Sequence, residues 1–416
     1  MDIFKRYKNR DKSHHMGGNM MRFISGKDKL SNILNEKADR ENNVIYLHIP
    51  FCTKICSFCN MRRQLSDVNP EYVNILVKHI EKLGKTPFAK STTFDSIYFG
   101  GGTPTTMTTE ELTTVLRALR SNFNLTPSCE ISSETTLTEL PAEKLVTLSN
   151  EGLNRISVGV QTFNDNGRKL MGRIGNGAFA KERLQEYLDT GFKGVNIDLI
   201  YNYPYQTEDD LDRDLELISN LDIAGFSLYS LILVKDSMLT KKISKKEIEI
   251  KTDLVHDYIY YHKVVEAAKK SGYEFLELTK MVRPGRDEYK YIVHRNTGAH
   301  TLPIGAGAGG NIGGAKIMNP IKLDEYAVFV DNLEIIEAPI FSDRYETIQE
   351  AVDQVQFGRI DLKMLPEDLV DKAKNLCEEL VEADLVEKVG DIYELTELGK
   401  FWGNNVSQEY FDLMTE

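Results

Sequence analysis

Short runs of β-branched and aromatic residues alternate with amphipathic segments from Val44 onward. The runs have the length of strands, and the segments show the spacing of helices with one apolar face. The predicted strands cover 44–49, 96–99, 129–134, 155–160, 195–200 and 226–231, and the predicted helices include 72–83, 109–122, 181–189 and 209–219. This alternation predicts an α/β fold with a parallel sheet, arranged as a partial (β/α)6 TIM-like barrel over residues 44–235. Side chains at the C-terminal ends of the strands would face one shared site.

The chain on either side of this region has a different pattern. Residues 1–43 are rich in charges and predict an N-terminal extension that is loosely structured or folds onto the body. Residues 236–330 predict a covering region with a glycine-rich loop. In residues 331–416, a helix over 366–380 precedes a hairpin turn at 389–391, which predicts a C-terminal helical module resembling a winged helix. Its acidic side chains favour structural packing over DNA binding; they are Glu387, Asp391, Glu394 and Glu397.

Composition narrows the class of protein further. The 416 residues are 41% hydrophobic and carry a net charge of −12, which is typical of a globular protein and argues against binding nucleic acid through a basic surface. The mean hydropathy is −0.35, and no apolar run is long enough for a membrane span. Residues 1–19 contain no apolar signal region, so a cytoplasmic location is expected.

Three of the five cysteines lie within eight residues, directly after the first predicted strand. Cys52, Cys56 and Cys59 have the spacing C-x3-C-x2-C, and three thiolates on one loop can bind three irons of a [4Fe–4S] cluster. The fourth iron would remain open for a small molecule. The alternative is a structural zinc site, for which His48 is the available fourth ligand. Cys129 and Cys377 are predicted to be buried apolar side chains.

The cysteine motif and the preceding Tyr46-x-His-Ile-Pro-Phe segment resemble the radical S-adenosylmethionine (SAM) superfamily. The resemblance extends from Val44 to the C-terminal module. It is strongest to the branch that contains the oxygen-independent coproporphyrinogen dehydrogenase, a related heme chaperone and the anaerobic heme-degrading methyltransferases. It implies a [4Fe–4S] cluster whose open iron binds SAM and whose electron cleaves SAM to a 5′-deoxyadenosyl radical.

Further motifs occupy the ends of the predicted strands. The segment Gly100 to Thr105 follows the second strand, and its glycines allow the backbone to approach a ligand. Glu134, Gln161 and Asp198 end the third, fourth and fifth strands, although a surface salt bridge would also explain Glu134. The resemblance implies two SAM molecules. It assigns Tyr46, Gly101, Glu134 and Asn311 to the cluster-bound SAM, and Phe58, Gly102, Thr103, Gln161, Arg173, Asp198 and Ile232 to the second.

Tyr46 and His48 are the candidate catalytic residues, and His48 could supply or relay a proton beside the cluster. Other side chains could contact a heme substrate. The candidate iron ligands are His14, His15, Met16, Met20, Met21, His294 and His300, and the candidate partners of the heme propionates are Arg283, Arg286 and Arg295. Solvated tails and surface ion pairs explain the same residues equally well.

Three functions compete within the branch. Met61 stands where the coproporphyrinogen dehydrogenase carries a further cysteine, although a segment resembling its His-Arg-Asn is retained at 294–296. The heme-binding motif of the chaperone is absent, because the single tryptophan is Trp402. The stretch at 302–314 resembles the Leu-Pro-x-Gly-x-Gly-Ala-Gly-Gly segment of the heme-degrading methyltransferases, where it could form a wall against a macrocycle; a flexible connector is the alternative.

The resemblance therefore implies a radical SAM methyltransferase that opens the heme macrocycle anaerobically. One SAM would supply the radical, and the other would methylate a meso carbon. The products would be a linear methylated tetrapyrrole and free iron. Coproporphyrinogen III oxidative decarboxylation and non-catalytic heme trafficking remain the alternatives. A flavodoxin- or ferredoxin-like protein is the expected electron donor.

Overall fold

The computed structural model describes residues 3–12, 24–59, 63–65, 68–250 and 253–415. The strands are β1 (Ile24–Lys29), β2 (Asn43–Ile49), β3 (Phe51–Cys52), β4 (Gln64–Leu65), β5 (Phe94–Gly101), β6 (Leu125–Thr135), β7 (Arg155–Gln161), β8 (Val195–Tyr201), β9 (Gly225–Ser230), β10 (Glu274–Glu277), β11 (Lys280–Val282), β12 (Thr301–Ile304), β13 (Gly309–Ile312), β14 (Ala315–Met318), β15 (Glu337–Phe341), β16 (Arg359–Ile360), β17 (Val386–Val389) and β18 (Ile392–Leu395). The helices are α1 (Leu30–Asn35), α2 (Pro70–Gly84), α3 (Pro87–Lys90), α4 (Thr109–Asn122), α5 (Ala142–Asn150), α6 (Asp165–Leu170), α7 (Gly177–Asp189), α8 (Glu208–Asn220), α9 (Met238–Ser244), α10 (Leu254–Lys270), α11 (Lys290–Asn296), α12 (Leu323–Asp331), α13 (Asp343–Asp353), α14 (Glu367–Glu382), α15 (Glu397–Phe401) and α16 (Gly403–Thr415).

The six predicted strands are confirmed as neighbours in one sheet. β2, β5, β6, β7, β8 and β9 lie side by side in chain order, and every neighbouring pair is parallel. We call these six strands the parallel core. Helices connect successive strands, so the predicted α/β fold with a parallel sheet is present. The order and direction of the strands are those that a partial (β/α)6 barrel requires.

Alternation along each strand divides its side chains between two environments. On β2, Ile45, Leu47 and Ile49 are buried in the main hydrophobic core, whereas Tyr46 packs with a separate aromatic group on the other face. Several helices begin at side-chain caps. α4 has a capping box in which Thr108 and Glu111 each bond the other's backbone N–H. Local sequence and burial therefore specify the same elements.

The sheet continues beyond the predicted barrel at both edges. β12 lies parallel to β2, and β13, β14, β15 and β1 extend that side with antiparallel pairing. β11 and β10 extend the other side after β9. Part of the N-terminal extension and of the proposed covering region thus joins the main sheet. The domain boundaries after residues 43, 235 and 330 stay predictions.

The glycine-rich stretch forms a buried turn between β12 and β13. Gly305 and Gly307 have positive φ angles of 102° and 84°. The backbone N–H groups of Gly305 and Ala306 donate to the hydroxyls of Tyr326 (3.0 Å) and Tyr72 (3.1 Å). A Cβ on Gly305 would lie 2.3 Å from the carbonyl oxygen of His48. The turn is therefore packed against β2, Tyr72 and Tyr326. Whether the stretch contacts a macrocycle stays a prediction.

The C-terminal module has the predicted helix and hairpin. α14 precedes the β17–β18 hairpin, whose turn places Gly390 at a φ of +62°, and β16 adds a third strand. Residues 3–12 fold onto this module: the Trp402 indole donates to the Ile3 carbonyl (3.1 Å), and Arg10 stacks 3.9 Å above the Phe401 ring. The described residues 3–12 of the extension thus contact the C-terminal module. Within the described ranges, no helix combines the length and apolarity needed to cross a membrane.

Candidate active site

A cavity of about 410 Å³ opens where the strands of the parallel core end. Most of the predicted site residues line it. They are Cys52, Cys56, Phe58, Cys59, Gly101, Gly102, Thr103, Glu134, Gln161, Arg173, Asp198 and Ile232. These residues come from seven separate segments of the chain. The prediction that strand-end residues share one site is therefore consistent with the fold.

The cysteine loop is held on both sides by backbone hydrogen bonds. Ser57 N–H donates to the Met171 carbonyl (3.1 Å) after α6, and Leu239 N–H of α9 donates to the Ser57 carbonyl (2.9 Å). Cys52 is buried, and burial raises the pKa of its thiol. The Cys52 sulfur lies 3.6 Å from the Thr103 hydroxyl. The fold thus fixes the loop against two helices while its thiols line the cavity.

The three thiols on this loop form a donor set suited to a [4Fe–4S] cluster. Cys52, Cys56 and Cys59 all line the cavity, and each thiolate can bind a different iron of such a cluster. A structural zinc site would need a fourth ligand. His48, the suggested fourth zinc ligand, is hydrogen-bonded through Nδ1 to the Tyr46 hydroxyl (2.9 Å).

The Gly-rich loop after β5 packs backbone to backbone against the cysteine segment. Gly102 N–H donates to the Ile49 carbonyl (2.8 Å), and Thr103 N–H donates to the Phe51 carbonyl (2.8 Å). Gly101 has a φ of +114°. A Cβ on Gly102 would lie 2.4 Å from the Phe51 carbonyl oxygen, so no larger residue fits without movement. The loop therefore presents its backbone to the cavity beside the cysteines.

The carboxyl group of Glu134 has a strongly raised pKa. Burial raises its pKa to about 7, and the nearby Asp198 acts in the same direction. The Tyr98 hydroxyl donates to Oε1 of Glu134 at 2.8 Å and opposes the shift. The carboxyl group can thus change charge near neutral pH. A surface salt bridge does not explain it, because its described partner is a buried tyrosine.

Tyr46 and His48 form a layer behind the cavity and do not line it. The Tyr46 ring stacks on Tyr98 with centroids 6.4 Å apart. A Cβ on Gly101 would lie 2.8 Å from the His48 ring, which places this ring directly behind Gly101. The His48 ring therefore contacts Gly101, and the Tyr46 ring contacts Tyr98. A direct role of either residue in proton transfer stays a prediction.

A second polar group lies at the ends of β7 and β8. Gln161 has a φ of +73°, an uncommon conformation for a residue with a side chain, and it sits at an irregularity in the β7–β8 pairing. Arg173 donates to the Cys56 sulfur (3.1 Å) and to the Gly159 carbonyl. The Ser157 hydroxyl donates to Asp198 (3.1 Å). An amide, a guanidinium and a carboxylate are thus presented together beside the cysteine loop.

Several predicted residues lie elsewhere. Asn311 on β13 pairs with Thr301, and Thr301 pairs with Val44 at the start of β2. Asn311 therefore lies at the amino end of β2, whereas the cavity lies at the carboxyl end of the parallel core. The suggested heme contacts are engaged away from the cavity. His294 pairs with Asp95, His300 with Asp39, and Arg283 and Arg286 with Asp222; Arg295 lies beside Tyr291. His14, His15, Met16, Met20, Met21 and Met61 lie outside the described residues.

Sequence reasoning missed some cavity residues. Ser157 and Tyr229 point into the cavity from β7 and β9, and Arg168 reaches it from α6. The alternation of side chains along β7 and β9 could have identified Ser157 and Tyr229, because residues two or four positions apart on a strand point to the same face. No signal in the sequence marks Arg168, since an arginine in a short amphipathic helix is usually solvated.

The family model described as "Radical SAM superfamily" matches residues 46–218, which hold the cysteine loop and five strands of the parallel core. This region therefore matches the radical SAM superfamily. The curated relatives to which the chain is similar belong to the HemN/HemW branch. The anaerobilin synthase of Escherichia coli O157:H7 is 26% identical over 390 residues, which is 92% of this chain and 86% of the relative. The heme chaperone HemW of Bacillus subtilis is 27% identical and covers 87% of this chain and 97% of its own length.

Two further comparisons concern coproporphyrinogen III oxidase. The oxygen-independent enzyme of Escherichia coli K12 is 28% identical over 69% of this chain and 65% of its own length. The solved structure of coproporphyrinogen III oxidase (HemN) from Escherichia coli has a TM-score of 0.77, with 24% identity and 92% of each chain covered. The shared fold thus extends beyond the region matched by the family model. The match to this superfamily implies a [4Fe–4S] cluster and SAM, and the donor set of the cavity fits them.

Proposed function

We propose that this protein is a radical SAM methyltransferase that opens the heme macrocycle under anaerobic conditions and consumes two SAM molecules. The observation that carries the proposal is the convergence of two polar groups on one cavity. Glu134 and the Gly101 backbone form one group, Gln161, Arg173 and Asp198 form the other, and both groups line the same space as the cysteines. The anaerobilin synthase relative, which covers 92% of the chain, supports this choice.

Each group offers chemistry that suits a part of SAM. Ionised Glu134 can pair with the positively charged end of the first SAM. Arg173 can form a bidentate contact with the carboxylate of the second, and Asp198 can accept hydrogen bonds from its ribose or amino group. When bound, the cluster supplies the single electron that cleaves one SAM to methionine and a 5′-deoxyadenosyl radical. The second SAM would provide the methyl group.

Apolar side chains in and near the cavity suit a large, partly apolar substrate. Ile174 and Val234 line the cavity, and Ile174 is 46% exposed, so we infer that they form its rim. Leu233 (38% exposed) and Met238 (49% exposed) follow on the segment after β9, whose α9 contacts the cysteine loop. Exposed apolar side chains that adjoin a polar cavity mark binding sites for partly apolar ligands. A flat tetrapyrrole could rest on this rim with one edge facing the cavity.

The decisive experiment is an anaerobic product analysis. The protein is reconstituted with iron and sulfide and then incubated with SAM, a low-potential reductant and heme. Loss of the Soret band, together with 5′-deoxyadenosine, S-adenosylhomocysteine and a methylated linear tetrapyrrole by mass spectrometry, is the expected result. Flavodoxin and ferredoxin can replace the chemical reductant to test the proposed donors. Intact heme in every case would refute the proposal.

Cysteine variants separate the cluster from other thiols. We expect Cys52→Ala, Cys56→Ala and Cys59→Ala each to abolish 5′-deoxyadenosine formation. Cys129→Ala and Cys377→Ala are matched controls, because both side chains are buried away from the cavity lining. Continued SAM cleavage in any of the first three variants would contradict the cluster assignment.

Coproporphyrinogen III oxidative decarboxylation is the second candidate, supported by the 28% identical oxidase relative. A parallel reaction with coproporphyrinogen III tests it. Decarboxylated product with intact heme would assign the protein to that activity. Stoichiometric binding of heme that is passed intact to an acceptor, with neither product formed, would favour a chaperone like HemW.

A further inference from the structure

Arg168 is a buried arginine that the proposed function does not use. It lies on α6 and is 1% exposed. Its guanidinium donates to four backbone carbonyls. They belong to Gly175 (2.9 Å from Nε), Val160 (3.0 Å from Nη1), Thr162 (3.2 Å from Nη1) and Ile174 (2.7 Å from Nη2). One side chain thus joins two separate stretches of backbone.

These stretches carry two of the residues proposed for the second SAM. Val160 and Thr162 flank Gln161 on either side, and Ile174 and Gly175 directly follow Arg173. Arg168 therefore fixes the distance between Gln161 and Arg173. A neutral or shorter side chain could not reach both stretches with the same planar set of donors.

The backbone that Arg168 holds is strained. Gln161 has a φ of +73°, which is costly for a residue with a Cβ and persists only where the surroundings impose it. The following residue is also fixed, because the Thr162 hydroxyl donates to Asp214 at 2.6 Å and the Phe163 N–H donates to the same carboxylate at 2.8 Å. Arg168 and Asp214 thus fix the chain on both sides of Gln161.

Arg168 is an unfavourable choice for stability alone. Within the part of the chain that the structure describes, its printed hydrogen-bond acceptors are all carbonyls, and no carboxylate forms an ion pair with it. Burial and the neighbouring Arg173 lower the pKa of Arg168 to about 10. Asp165 and Asp214 act in the opposite direction from a distance, but a buried charge without a direct ion pair is still costly. A function that needs the fixed geometry would account for this cost.

We propose that Arg168 is a positioning residue for the second SAM: it holds Gln161 and Arg173 in the arrangement that binds this molecule, and it is not needed for the cluster-bound SAM. This inference rests on the proposed use of two SAM molecules. It assigns to Arg168 a role through backbone geometry, so retention of positive charge alone would not preserve it.

Equilibrium dialysis with SAM, on cluster-loaded protein without reductant, tests the inference. We expect wild-type protein to bind two SAM per chain. In Arg168→Met and Arg168→Lys, one SAM should bind as before, whereas the second should bind about 10- to 100-fold more weakly, the scale of effect expected from displaced positioning groups. Arg117→Met is the control, because Arg117 is an exposed arginine on α4 paired with Glu151.

Two further measurements separate positioning from a general loss of structure. The change in the electron paramagnetic resonance spectrum of the reduced cluster on adding SAM reports the first SAM and should be retained in both variants. In a Gln161→Ala background, loss of Arg168 should cost less than in wild type, because the two residues act together. Additive effects would indicate independent roles and overturn the inference.

The outcomes remain distinguishable. Wild-type protein that binds only one SAM would refute the proposed function, whereas two SAM in wild type and unchanged binding in both Arg168 variants would refute the positioning role alone. Full second-site affinity in Arg168→Lys would show that charge suffices and would also overturn it. If both variants unfold by circular dichroism, Arg168 is a stability residue and the inference fails.

Discussion

Binding of the first SAM is expected to depend on pH through Glu134. The pKa of this carboxyl group is raised to about 7, mainly by burial. About one-tenth of the molecules would therefore carry the ionised group at pH 6, and about nine-tenths at pH 8. If the ionised form pairs with the positively charged end of SAM, the affinity should rise about tenfold across this interval.

The same shift predicts an opposite effect on the stability of the protein without SAM. The pKa is raised from the ordinary value of 4.5, so the folded state holds the proton more tightly than the unfolded chain. The resulting stabilisation is fully present below pH 4.5 and is lost as the pH rises to about 7. A shift of this size corresponds to at most about 3 kcal/mol. Glu134→Gln should remove this loss, because the amide does not ionise.

Dialysis with SAM between pH 6 and pH 8 measures the change in affinity, and urea unfolding between pH 4.5 and pH 8 measures the change in stability. Glu134→Gln should bind SAM weakly and without the tenfold change, while its unfolding free energy at pH 8 should exceed that of wild type. Glu139→Gln is the control, because this nearby carboxylate bonds Thr53 and does not line the cavity. The reasoning is refuted if Glu134→Gln keeps the wild-type pH dependence of SAM binding.

Two other substitutions test the loop and the opposite end of the parallel core. Gly101→Ala should destabilise the protein by about 1–3 kcal/mol and weaken SAM binding, because the added Cβ meets the His48 ring. The control is Gly191→Ala, which also has a positive φ but open space around it and should leave SAM binding unchanged. Thermal melts measure the stability of both variants, and dialysis measures their SAM binding. Arg155→Met should cost about 3–5 kcal/mol in urea unfolding, because it leaves the buried Asp287 carboxylate without its two guanidinium hydrogen bonds (2.8 and 3.0 Å); a change below about 1 kcal/mol would contradict this.

The parallel core could be predicted because its signals are local. The predicted strand 155–160 corresponds to β7 (Arg155–Gln161), and the predicted helix 109–122 matches α4 (Thr109–Asn122). Strand alternation also places polar residues at the carboxyl ends, which is why most of the predicted site residues line the cavity. Cysteine spacing added the metal chemistry, since C-x3-C-x2-C on a loop restricts the possible ligands.

The remaining strands could not be predicted because their apolar runs are short or run directly into glycines. β12 has four residues and runs directly into glycines, so its pairing with β2 depends on contacts distant in sequence. Asn311 was assigned to the cluster-bound SAM from a local resemblance, but the turn after β12 carries it back toward the amino end of the sheet. The four carbonyls bound by Arg168 likewise become neighbours only when the loop folds.

The candidate site occupies the places where the strands leave regular geometry. Gly101 at the end of β5 and Gln161 at the end of β7 both have positive φ angles, of 114° and 73°. Such conformations persist only where neighbouring structure imposes them. Here the imposing groups are the paired strands, the cysteine segment behind Gly102 and the guanidinium of Arg168. Because hydrogen bonds and packing within the fold hold these groups in place, the free-energy cost of ordering the site would be met largely during folding and not on binding SAM.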